Sequence, residues 1–188
     1  MSFFSISKML VSPDAIWPDL DRFDSTVVRV FAFLVVPLSL LPPAMIYWAG
    51  NHHGDAFVPG FSNKPWALIG ALFFVCELVS VTCMAWLLRK VAHAWDEQVS
   101  GRNAYIIAAV AAIPLWVSSL GLLVPSLAFN IALATVALML SCALIFQGVR
   151  SFCRIDENRS ERTFVITQLV FGGGLAAWGF LMLLLIIP

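Results

Sequence analysis

Charge is what this chain has least of. Asp, Glu, Lys and Arg make up 12% of its 188 residues, while 61% are hydrophobic. A soluble domain carries about 25% charged residues, so this composition excludes a fold surrounded by water. The 11 bases and 11 acids cancel, which removes any electrostatic case for nucleic-acid binding. The apolar runs are continuous rather than alternating, so a membrane β-barrel is excluded as well. The four cysteines (Cys76, Cys83, Cys142, Cys153) form no CxxC pair. They read as small buried hydrophobes rather than disulfides or metal ligands. There is no nucleophile elbow, phosphate loop, HExxH or CxxCH. No catalytic set and no cofactor are therefore expected, and a membrane enzyme is the weakest of the functional readings. His52, His53 and Asp55 stand close together in a Gly-containing stretch read as a loop, Gly50 to Pro65, but they make a poor metal set. The first eleven residues are too short and too polar for a signal-peptide core.

What remains is five long apolar runs. A helix needs about 20 apolar residues to cross the hydrocarbon, and backbone polar groups in lipid must be paired within the helix. The fold class expected is an all-α polytopic membrane protein. Five spans are placed at about 27–49, 66–88, 104–124, 127–149 and 163–187, forming one domain over residues 26–188. Residues 1–25 alternate Phe3, Ile6, Leu10, Trp17 and Phe23 with charges. They read as a cytoplasmic amphipathic helix lying in the interface.

All the Lys and Arg residues except Lys64 fall in alternate gaps between these runs. Short basic loops resist translocation. The basic gaps are thus expected in the cytoplasm, with the N-terminus inside, the C-terminus outside and no domain beyond the last span. Nine of the acids share those gaps, so that face is zwitterionic rather than polybasic. It remains the side where soluble partners or anionic headgroups are expected.

Several residues break the apolar pattern. Pro37 and Pro114 should kink the first and third spans, and Pro125 should turn the chain sharply between the third and fourth. Glu77 is the one acid within a span, and a charge at that depth costs at least a few kcal/mol. The functional reading is a proton or ion site. The structural reading, which the lack of a second intramembrane charge favours, is a carboxyl bonded to Ser80, Asn130, Ser118 or Ser119. Asn130, Ala134, Ala137, Ser141 and Gly148 form a small or polar stripe on the fourth span. Gly172, Gly173, Gly174, Ala176 and Ala177 give small-xxx-small spacing on the fifth. Both stripes read as helix-packing surfaces within one bundle, with a membrane partner as their other use.

Three segments together resemble the Yip family of five-span membrane proteins, named for interacting with Ypt/Rab trafficking GTPases, and within it the bacterial inner-membrane branch. They are "LVSPDAIWPDL" ahead of the first span, "AAVAAIPLWVSSLGLLVPSL" with Pro114 and Pro125, and "LIFQGVRSFCRIDENRSE" around Gly148. Many relatives carry a Tyr shortly before the mid-helix proline. The matching position here is Val110, so no role of that Tyr is carried over. The resemblance implies a non-enzymatic protein of the cell inner membrane that binds or organises other membrane proteins, as a homo-oligomer or accessory subunit. The alternative is a small transporter, channel or lipid-handling protein that uses Glu77, with a cavity lined by the helices kinked at Pro37 and Pro114.

Overall fold

The computed structural model describes residues 27–57, 59–153 and 160–186. The expected interfacial helix and most of the last basic gap (154–159) lie outside them. Every regular element described is helical. Among the described residues, five helices are long and apolar enough to cross a membrane: α1 (Val27–Phe57), α2 (Trp66–Ala94), α3 (Gly101–Leu123), α4 (Leu127–Phe152) and α5 (Ser160–Ile186).

The chain meets its prolines by local rewinding. Pro37 lacks an N–H and its ring crowds the carbonyl one turn back. The turn before it, Phe31–Val35, is accordingly widened into a π-helix, with the Val36 N–H bonded to the Phe31 carbonyl. Such single wide turns relieve an insertion in the helical ladder. The helix breaks at Leu40 and restarts at Leu41, so Pro42 and Pro43 fall in a first turn, where no N–H is needed. Helix α3 continues through Pro114 without a break. It tightens into a 3-10 turn at Ser119–Leu123, and the chain reverses at Pro125.

Helix α1 overruns its expected end by two turns. His52 and His53 therefore lie on a helix and not in a loop. Side chains extend the helix here: the Asn51 amide donates to the Tyr47 carbonyl (2.7 Å), and the His52 ring lies 2.9 Å from the Trp48 carbonyl. The Trp48 and His52 rings stack at 4.9 Å. Asp55 accepts the N–H groups of Gly60 (2.9 Å) and Ser62 (3.2 Å), so its carboxylate is spent on closing the link to α2. Glycine is required at position 50 because the Trp66 ring lies where a Cβ would be.

Helices α2, α3, α4 and α5 pack in that order as a ring, with α5 returning to α2, and α1 lies outside against α2 and α3. At the end near Arg89 and Arg150 the ring is filled by Leu88, Ile107, Val149, Ile166 and Val170. There Arg162 ties α5 to α2, donating to the Trp95 carbonyl (2.9 Å) and the Glu97 carboxylate (3.3 Å). At the Pro125 end, Ile46, Trp66, Phe73 and Leu181 form a second cluster.

The stripe on α4 faces α3. Ala137 and Ser141 are buried, and the Ser141 hydroxyl donates to the Ala111 carbonyl at 2.6 Å. An interhelical hydrogen bond of this kind contributes about 0.6 kcal/mol on average in a membrane bundle. Ser141→Ala should therefore lower stability by about 0.5–1.5 kcal/mol in reversible detergent unfolding.

Candidate intramembrane site

The four-helix ring is not filled throughout. Between its packed ends lies a cavity of about 500 Å³, within the range of small-molecule sites. All five helices contribute to its wall, which is almost wholly apolar. Of the residues singled out in the sequence, the cavity brings together Glu77, Ser80, Asn130, Ala134, Ser141, Ser118, Ser119, Gly174 and Ala177. Pro37, Pro125, Ala137, Gly172, Gly173 and Ala176 lie elsewhere.

Glu77 is 8% exposed and sits on α2 facing the ring interior. None of the partners expected for its carboxyl group reaches it. The Ser80 hydroxyl donates instead to the Glu77 main-chain carbonyl (2.8 Å). Those of Ser118 and Ser119 donate to the carbonyls of Leu115 (2.8 Å) and Trp116 (2.6 Å). Hydroxyls in helices take the carbonyl a turn behind because it is always within reach. Asn130 spends its amide on the Pro125 turn, donating to the carbonyls of Val124 (3.0 Å) and Ser126 (2.8 Å). It secures the hairpin between α3 and α4.

The group that Glu77 does meet is the indole of Trp116 on α3, which interacts with its carboxyl group. Trp116 is 1% exposed and is the largest fully buried side chain described. The other carboxyl oxygen, Oε2, is buried and has no partner. The sequence offered one signal for this pairing: an indole donor two residues after Pro114, in a run otherwise without donors until Ser118.

The glycine stripe on α5 divides. Gly173 faces Leu87 of α2, and Gly174 faces Met84, 3.2 Å from where a Cβ would stand. Gly172 and Gly179 meet nothing within 4 Å, and Gly172 and Ala176 are exposed. Half of the stripe therefore packs inside the bundle and half points away from it.

The Yip1 domain profile matches residues 7–186, nearly the whole chain. No curated protein and no solved structure matches.

Proposed function

The chain belongs to the Yip1 domain family, and from that premise we propose that it is a non-enzymatic membrane protein whose cavity holds a membrane-soluble ligand. One observation carries this reading: a buried, unpaired carboxyl oxygen on the wall of an otherwise apolar space of about 500 Å³. An unpaired buried acceptor costs about 1–3 kcal/mol, and a ligand that completes it recovers that cost. The wall supplies no second acid or base beside Glu77, and its Ser and Thr hydroxyls are bonded to main-chain carbonyls, which favours binding over catalysis. Ala134 lines the cavity on α4. Ala134→Phe should fill the space, reduce apolar ligand retained through mild-detergent purification by about tenfold, and leave the protein monodisperse. Extraction and mass spectrometry would read the difference, and equal retention by both proteins would count against the cavity.

A second reading is partner binding, favoured by the outward Gly172 and Ala176. Small residues there let a partner helix approach closely.

The basic gaps are proposed to face the cytoplasm of a bacterial cell, with the protein in the inner membrane. A reporter active only in the cytoplasm should be silent when fused after residue 188 and active when fused before residue 1. The opposite pattern would reverse the orientation.

A further inference from the structure

We infer that the Glu77 cavity selects single-chain amphiphiles whose head is a hydrogen-bond-donating amine. This rests on the reading that the cavity holds a ligand, and it adds the ligand's chemistry.

Size sets the first limit. At ~30 Å³ for each water-sized group, a cavity of about 500 Å³ takes roughly 16 such groups. That is one alkyl chain with a small head. The route is set by the wall. Ile131 and Thr135 of α4 and Leu175 of α5 line the cavity and are also exposed. The space therefore opens sideways between α4 and α5, and a chain enters from the hydrocarbon without passing through water.

Donor accounting sets the head. The hydroxyls of Ser80, Ser118, Ser119, Thr135 and Ser141 all donate to main-chain carbonyls. The Asn130 amide is bonded to Val124 and Ser126. The Trp116 indole meets the Glu77 carboxyl group, and nothing reaches Oε2. No Lys, Arg or His lines the cavity. The wall thus presents an acidic acceptor that lacks both a donor and a counter-charge. An amine supplies both, and an amine paired with a carboxyl is net neutral wherever their shared proton sits. An alcohol supplies the donor alone. A carboxylate or phosphate head supplies neither and brings a charge that no group on the wall offsets. Charge-assisted hydrogen bonds are about twice as strong as neutral ones, so the order of affinity is amine, alcohol, carboxylate.

The test titrates the purified full chain with hexadecylamine, hexadecanol and hexadecanoate, competing each against a brominated alkyl chain that quenches Trp fluorescence. Hexadecylamine should bind at least about tenfold more tightly than hexadecanoate, with the alcohol between them. Glu77→Gln should narrow that spread to under about threefold while chain binding persists, and Ala134→Phe should block all three. Equal affinity for the three heads in the unsubstituted protein, or an undiminished amine preference in Glu77→Gln, overturns the amine assignment. If Ala134→Phe still blocks binding in that case, the cavity reading stands. Absence of saturable binding for every probe overturns both. Should Glu77→Gln fail to stay monodisperse, Trp116→Phe interrogates the same carboxyl. It removes the indole N–H that competes for the carboxyl group and should raise amine affinity by about threefold or more, and a fall or no change overturns the assignment.

Discussion

Trp116→Ala is expected to lower the stability of the detergent-solubilised protein by about 3–5 kcal/mol, the cost typical of emptying a large buried aromatic site. Trp116 is 1% exposed and packs with Val35, Val81, Ala85, Tyr105, Ala109 and Ile113, where α1, α2 and α3 meet. Its loss merges that space with the neighbouring cavity, so little collapse can offset it. The same substitution removes the indole that interacts with the Glu77 carboxyl group. Trp116→Phe separates the two effects because it keeps most of the ring and removes only the N–H. It should cost about 1–2 kcal/mol, between the average for hydrogen bonds in membrane bundles and that for bonds to charged groups. Adding Glu77→Leu to Trp116→Phe should then restore part of the loss, since two apolar partners leave nothing unpaired. Reversible unfolding in mixed micelles would read all three variants. A Trp116→Phe protein as stable as the parent would show that the indole bond contributes nothing.

The architecture was legible because the bilayer imposes one length and one pairing rule on every crossing. All five runs appear as helices, including the α3–α4 hairpin with its short uncharged link at Val124–Ser126. Element ends were less legible where polar residues extend a helix. "GNHHGDAF" has the composition of a loop, yet Asn51 and His52 reach carbonyls one turn behind and carry α1 on to Phe57. Asp55, taken with the histidines in the sequence, closes that link through Gly60 and Ser62.

The site was half legible. Glu77 is conspicuous in any hydropathy reading because it interrupts an apolar run. Its partner is not, because Trp116 lies on the next helix and counts as apolar in the same reading. Proximity to hydroxyls was a poor guide, since a serine in a helix always has its own carbonyl at hand. A cavity was read from the sequence only as an alternative, beside the kinks at Pro37 and Pro114, and neither proline lines the one that forms. It is a property of how four helices fail to fill their ring between Leu88 at one end and Leu181 at the other.

The division of the α5 stripe yields the sharpest contrast between neighbouring residues. Gly172→Leu and Gly173→Leu make the same chemical change about 100° apart around one helix. At Gly173 the first added atom overlaps the Leu87 side chain, so α5 must move off α2 or Leu87 must repack. Overpacking of that kind costs about 1–3 kcal/mol. At Gly172 nothing stands within 4 Å, so the stability of the isolated chain should stay within about 0.5 kcal/mol of the parent. If a partner helix uses the open face, however, the leucine blocks the close backbone approach that small-xxx-small spacing permits. Gly172→Leu combined with Ala176→Leu should then release the partner, or a second copy of this chain, from complexes isolated in mild detergent, while Gly173→Leu releases it only insofar as it unfolds the bundle. A parent protein that always runs as a lone monomer would leave Gly172 and Ala176 facing lipid, and the cavity would stand as the stronger candidate for what this bundle binds within the membrane.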